Sequence, residues 1–327
     1  MTTLLEVTDL KVHFSTSGGS ETVKAVDGVS FAMNRGETFG VIGESGSGKS
    51  TLGRAVVCLL KPTAGALRLD NGDPYALSGA AFRRNRRDYQ IVFQDPNAAL
   101  NPRMKIRDSV REPLDILGEG TRAERNARAV AVLDRVGLRA EFAERYPHEL
   151  SGGQKQRVNI ARVLTLRPKL VVCDEVVAAL DVSIQADMLN LFADLQREFG
   201  LTYLFITHDL GVVSHISDRI AVMYLGKFVE LAAADDIAER PLHPYTEALL
   251  SAEPVPLPSH LRTGDRIVLQ GEIPSPISPP SGCRFRTRCS FAQDTCAAVE
   301  PEWREIEPGR FVACHFAGEV TQQRRPT

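Results

Sequence analysis

Residues 38–51 read TFGVIGESGSGKST, an apolar run that breaks into glycines and ends on a lysine and two hydroxyls. Thr38–Ile42 is short, apolar and β-prone, as suits a strand buried on both faces of a parallel sheet. Gly43, Glu44, Ser45, Gly46, Ser47, Gly48, Lys49 and Ser50 then match G-x-x-x-x-G-K-[ST] at every fixed position. Beyond them Leu52, Ala55, Val56, Leu59 and Leu60 recur at helical spacing, so strand, loop and helix stand in the order a phosphate-binding loop requires. Glycines let backbone N–H groups wrap phosphates, and the helix N-terminus adds positive potential. Lys49 is spaced to reach the terminal phosphates and Ser50 to ligate Mg²⁺. A Gly/Ser-rich surface turn would account for the glycines, but not for that lysine and serine between two regular elements.

Working outward, residues 170–175, LVVCDE, read as a second buried strand that ends in two carboxylates. Open parallel sheets bind ligands at the carboxyl ends of their strands. Asp174 is therefore placed to support Mg²⁺ through its water shell, and Glu175 to polarise a water that attacks a γ-phosphate. Taken alone the pair would equally read as an acidic helix N-cap; a phosphate loop in the same chain favours chemistry. A third apolar strand, residues 201–207, runs into His208, which at that position is placed to contact the γ-phosphate or the attacking water. Residues 150–154, LSGGQ, pose a different problem. Ser151 and Gln154 have capping-box spacing, which predicts a helix running to Leu166 and stopping near Pro168. Gly152 and Gly153 in its first turn cost about 1 kcal/mol each relative to alanine. They make sense where a ligand must come close to a bare helix N-terminus, itself an anion site.

Composition fits a globular chain: 327 residues, 43% apolar and 24% charged, with a formal net charge of −2. No apolar run approaches the roughly 18 residues a membrane span needs. The opening MTTLLEVTDL lacks the basic and apolar regions of a signal peptide, so a cytoplasmic location is expected. No overall basic field argues for nucleic acid, and Arg83, Arg84, Arg86 and Arg87 read as a solvated face. Near the end the texture changes. Seven of the 19 prolines fall between Pro254 and Pro280, which reads as an extended connector. Cys283, Cys289, Cys296 and Cys314 follow, without the close pairs of most structural zinc sites. Disulfides are disfavoured in a cytoplasmic chain. Four soft thiolates suit an iron–sulfur cluster or zinc, and His315 beside Cys314 leaves a mixed zinc site open; spacing does not decide.

The ordered set GESGSGKST, VFQDP (92–96), LSGGQ, LVVCDE and ITHDL (206–210) resembles the ATP-binding cassette family over roughly the first 240 residues. The resemblance implies an α/β P-loop NTPase cassette: a mixed-sheet core, a small antiparallel β subdomain, an inserted helical subdomain at about 97–158, and here a Cys-rich extension over 241–327. It implies ATP and Mg²⁺ as ligands. In that family two cassettes pair head to tail, so that residues 151–154 of one chain close on ATP held by residues 43–51 of the other; one copy of each motif per chain fits half of a two-site machine. Carried over by position, Lys49, Ser50 and Thr51 bind phosphates and Mg²⁺, Gln94 senses metal and attacking water, Asp174 supports the metal, Glu175 is the general base and His208 contacts the γ-phosphate. Asp181, in AALD, matches the loop that communicates between sites, and Phe14 stands where an aromatic stacks on adenine, an interaction worth about 1 to 3 kcal/mol, or else packs in a β-edge. Val176 and Ala178 replace the proline and serine common in the family, at no loss of a catalytic atom. Ala98, Ala99, Leu100 and Met104 offer an apolar surface at the join where such cassettes dock on permease helices, or else core packing.

A narrower resemblance covers HPYTEALLSA (243–252), GEIPSPISPPSGCRFRTRC (271–289) and VACHF (312–316), which look like the C-terminal region of ATPase subunits from bacterial dipeptide and oligopeptide importers, the F-type member of a D/F pair. It implies a [4Fe-4S] cluster on Cys283, Cys289, Cys296 and Cys314 in preference to zinc or an empty site; with no substrate-like residues around the cysteines the role reads as structural, and Trp303 and Phe311, between the third and fourth cysteines, are expected to pack the module. The implied partners are a D-type ATPase subunit in a heterodimer, two transmembrane permease subunits and, indirectly, an extracytoplasmic substrate-binding protein, at the cytoplasmic face of the inner membrane. Nucleic-acid-directed members of the family carry two cassettes per chain or a long coiled coil, and neither is present.

Overall fold

The computed structural model describes residues 2–16, 19, 21–178, 180–252 and 267–318. The first half of the proline-rich connector therefore lies outside the described residues. The chain opens with β1 (Thr3–Ser15) and β2 (Thr22–Asn34), runs through β3 (Thr38–Ile42) into α1 (Lys49–Val56), and returns as β4 (Ala64–Leu69). Helix α2 (Gly79–Asn85) leads to β5 (Tyr89–Val92); α3 (Pro96–Ala99), α4 (Ile106–Leu117), α5 (Arg122–Arg135) and α6 (Gly152–Leu164) precede β6 (Leu170–Asp174). Then come α7 (Val182–Phe199), β7 (Thr202–Ile206), α8 (Leu210–Ile216), β8 (Arg219–Tyr224), β9 (Lys227–Ala233), α9 (Ala234–Glu239) and α10 (Pro244–Ala252). The described C-terminal part adds α11 (Asp294–Ala298) and a hairpin, β10 (Arg304–Glu307) and β11 (Arg310–Val312).

Two sheets form. β2, β1 and β4 make an antiparallel three-stranded layer, and the order β10-β11-β9-β8-β3-β7-β6-β5 makes a mixed eight-stranded one. Within the latter β8, β3, β7, β6 and β5 run parallel, while β9 pairs antiparallel to β8. All five residues of β3, β6 and β7 are buried, which is why they read as unbroken apolar runs rather than alternating ones. Ile106 and Val110 of α4, Leu133 of α5 and Val158 and Ile160 of α6 bury one shared apolar surface between β5 and β6 in the chain order.

Three expectations change. α1 ends at Val56, and Cys58 adopts a left-handed φ of 58°, so Leu59 leaves the helical face and is 39% exposed. α6 ends at Leu164, two residues short of Leu166. Trp303 and Phe311 do not pack the cysteines: they stack on each other with centroids 5.8 Å apart, and Trp303 lies 6.3 Å from Phe228. The reason is register, since β11 adds to the edge of β9 with Phe311 opposite Leu231 and thereby joins the core of the sheet.

Candidate functional site

The phosphate loop fills the turn between β3 and α1. Gly43 has φ 152°, and a Cβ there would lie 2.1 Å from the Met223 carbonyl oxygen; Gly48 has φ 107°, and its Cβ would lie 2.0 Å from the Ala25 carbonyl oxygen. Both positions exclude every side chain. Ser47 is buried, while Ser45 and Gly46 form the exposed crest and Thr51 sits in the first turn of α1. The buried Lys49 turns its ammonium back into the loop, donating to the Gly43 carbonyl at 2.7 Å and that of Glu44 at 2.9 Å. Burial lowers the pKa of Lys49, opposed by the charges of Glu175, Asp174 and Glu44.

Neighbouring strand ends bring the other candidates to this loop. Ser50 Oγ donates to Asp174 Oδ1 at 2.7 Å, joining the loop to β6. Burial raises the Asp174 carboxyl, opposed by that hydroxyl and by Arg54. Glu175 sits between two partners: Gln94 Nε2 donates to its Oε2 at 2.7 Å, and His208 Nδ1 lies 3.4 Å from its Oε1. Gln94 follows β5, Glu175 follows β6 and His208 follows β7, three adjacent parallel strands. Glu175 also has φ 51°, left-handed for a non-glycine residue, while its N–H bonds the Ile206 carbonyl at 2.9 Å. Such strain clusters where a side chain must be aimed. Nothing in the sequence marks it.

Other predicted residues stand apart from this cluster. Ser151 and Gln154 form the expected capping box, Ser151 N donating to Gln154 Oε1 at 2.9 Å and Gln154 N to Ser151 Oγ at 3.3 Å. An added Cβ at Gly152 meets nothing within 4 Å, and one at Gly153 meets Ile184 Cγ2 at 3.1 Å. Asp181 precedes α7 and makes no side-chain cap. Phe14 is 40% exposed on β1 opposite Val23, not buried in an edge. Leu100 is a core residue of the helical layer, whereas Phe93, which composition did not single out, is 39% exposed beside Gln94.

The four C-terminal cysteines, with His315 and Phe285, line one small cavity. Burial pushes the thiol of Cys283 up to about 11 and that of Cys314 up to about 12, and nearby thiols reinforce both. Among the described residues no three His, Cys, Asp or Glu side chains converge closely enough to hold one metal ion. The thiols around that cavity are donors that suit an iron–sulfur cluster and zinc alike. The phosphate loop and its acids likewise fit a nucleotide with Mg²⁺: amides, a lysine, a hydroxyl and carboxylates converge there.

The fold, the loop and the acids at the strand ends define a class, and the comparisons agree. Residues 26–178 match the model of the ABC transporter family, and residues 229–296 match that of the oligopeptide/dipeptide transporter C-terminal region. The chain belongs to the ATP-binding cassette family of transporter ATPases. More narrowly, it is 52% identical to the oligopeptide transport ATP-binding protein AppF of Bacillus subtilis (strain 168), over 96% of this chain and 97% of that one. It is 51% identical to the oligopeptide transport ATP-binding protein OppF of Salmonella typhimurium, over 91% and 92% respectively. Among solved structures, the dimeric post-hydrolysis state of the cassette MJ0796 bound to ADP and Pi matches with a TM-score of 0.64 at 32% identity, over 71% of this chain and 99% of that one. Among the described residues no helix is long and apolar enough to cross a membrane.

Proposed function

We propose that this chain hydrolyses ATP to power a bacterial importer of dipeptides or oligopeptides. Its relatives' names supply the cargo class, and the match of residues 229–296 to the oligopeptide/dipeptide transporter region supports it. The observation that carries the reading is the fixing of Glu175 between Gln94 and His208, one residue from the Asp174–Ser50 pair. ATP binds with its phosphates on the amides of Gly43, Ser45, Gly46, Ser47 and Gly48 and on Lys49, Ser50 and Thr51. Phe14 offers its exposed face to the adenine. Ser50, Asp174 and Gln94 would hold Mg²⁺, which would supply positive charge to offset the charge on the phosphates. Glu175 takes a proton from the attacking water, Gln94 orients that water, and His208 donates to the γ-phosphate as charge builds.

Ser151, Gly152, Gly153 and Gln154 complete the site of a second cassette, and Asp181 lies at the seam between the two sites. The open space over Gly152 supports this, because among the described residues no neighbour requires a glycine there. The second cassette is a D-type subunit. The pair sits on two permease subunits at the cytoplasmic face of the membrane, with cargo delivered by an extracytoplasmic binding protein. Residues 1–240 form the cassette, with the helical subdomain at about 97–158, and residues 241–327 the importer-type extension, whose four cysteines hold a [4Fe-4S] cluster. Replacing Glu175 with Gln should reduce ATP turnover by about 10² to 10⁴-fold while ATP binding survives. Full turnover in E175Q would remove the general base from the reading.

A further inference from the structure

Glu44, the first variable residue of the phosphate loop, is gripped twice by the C-terminal region. Tyr245 Oη accepts the Glu44 backbone N–H at 2.8 Å. Arg288 meets the Glu44 carboxylate as a two-pronged fork, Nη1 to Oε2 at 2.6 Å and Nη2 to Oε1 at 3.0 Å. Paired donors of this geometry fix both the position and the charge of a carboxylate. The Arg288 side chain is 7% exposed and that of Glu44 24%, so water screens the pair only in part.

Both grips are themselves held rigidly. Tyr245, Tyr224 and Phe285 form a buried three-ring cluster with centroids 4.8 to 5.3 Å apart. The Arg288 N–H bonds the Phe285 carbonyl at 2.9 Å, and its guanidinium lies 6.0 Å from the Tyr224 ring centroid. At the start of α10 the His243 ring accepts the Tyr245 N–H through Nδ1 at 3.0 Å, and Pro244 takes the first helical position, where a missing N–H costs nothing. The run His243-Pro244-Tyr245 is thus a cap that aims a hydroxyl at the loop.

A carboxylate in the middle of a phosphate cradle is otherwise a liability. It shares the neighbourhood of Lys49 with Asp174 and Glu175, and a free anion there competes with phosphate for the ammonium and repels the incoming charge. We infer that Arg288 and Tyr245 are positioning residues for nucleotide binding: they neutralise and immobilise Glu44 so that the loop presents its amides and Lys49 to the phosphates. This rests on the reading of residues 43–51 as the nucleotide cradle.

The test uses the full-length chain and a fluorescent ATP analogue with Mg²⁺, with thermal unfolding measured in parallel. R288Q should weaken binding by about 10-fold, and E44Q/R288Q should return to within about twofold of E44Q alone, because removing both charges leaves no orphan anion. R288K, which keeps charge but loses the fork, should fall between R288Q and wild type. Y245F keeps the ring in its cluster and loses only the hydroxyl; it should bind about threefold more weakly while unfolding within about 4 °C of wild type. If R288Q does not fold, Y245F carries the test alone, and its binding like wild type would overturn the inference. A double variant as weak as R288Q would also overturn it, since Arg288 would then act through general folding. Wild-type protein that bound no nucleotide would sink the reading of the site itself.

Discussion

At Gly48 an added Cβ would sit 2.0 Å from a carbonyl oxygen, whereas at Gly152 it would meet nothing within 4 Å. The two glycines look alike in the sequence and exist for different reasons: the first is required by the chain's own backbone, the second by no neighbour among the described residues. A side chain at Gly152 should therefore leave folding intact and obstruct only what approaches from outside. G152L is expected to unfold within about 3 °C of wild type, given the small propensity change at one helix position. Its ATPase rate should fall by at least about 10²-fold, the scale seen when one donor to a developing anion is lost. An inactive G152L that also melted early would point to an internal role. Glu175 makes the same point from the other side, since its identity and spacing were legible while its left-handed backbone was not. In that conformation its N–H is held by the Ile206 carbonyl on the neighbouring strand.

At the scale of elements, local signals served well at helix starts and poorly at helix ends. The capping box of α6 is present as read, because capping depends on residues three apart. The end of α1 escaped reading, because Leu59 and Leu60 continue the apolar period while Tyr75, far along the chain, donates to the carbonyls of Ala55 at 3.1 Å and Leu60 at 2.8 Å. The join of β9 to α10 carries a titratable device. Glu230 is buried on β9 and accepts the N–H groups of Leu242 at 2.7 Å and His243 at 2.9 Å. Burial pushes its carboxyl from 4.5 up to about 7, and pushes the His243 imidazole from 6.5 down to about 3. A raised carboxyl contributes stability that is full below pH 4.5 and lost as pH rises through about 7. A depressed imidazole contributes stability that is present above pH 6.5 and lost as pH falls towards 3. Only the first contribution disappears in E230Q. Wild type should gain stability relative to E230Q as pH drops from about 7.5 to about 5, read from urea midpoints at the two values. A difference that did not change with pH would exclude Glu230 as the titrating group.

Across the whole molecule the C-terminal region is woven into the cassette rather than appended to it. β10 and β11 extend the main sheet, Tyr245 and Phe285 share a core with Ile42 and Tyr224, and Arg284 bonds the Asp27 carboxylate and the Leu225 carbonyl. The four cysteines sit within that fabric, around a cavity that also touches Phe285. Anaerobically purified full-length protein should carry about four iron and four acid-labile sulfide per chain, and C296S should lose them. Stoichiometric zinc without iron would overturn the cluster.

The sequence by itself determined the phosphate loop, the acids that follow β6 and the capped helix at Ser151, because each rests on residues that are neighbours along the chain and obey a fixed spacing. Only the tertiary structure decided that Gln94, Glu175 and His208 meet, that Trp303 and Phe311 join the sheet rather than the cysteines, and that Arg288 clasps Glu44. The contacts of Glu175 with His208 and of Glu44 with Arg288 join residues 33 and 244 positions apart, and strand order and side-chain packing, which no local spacing encodes, bring them together.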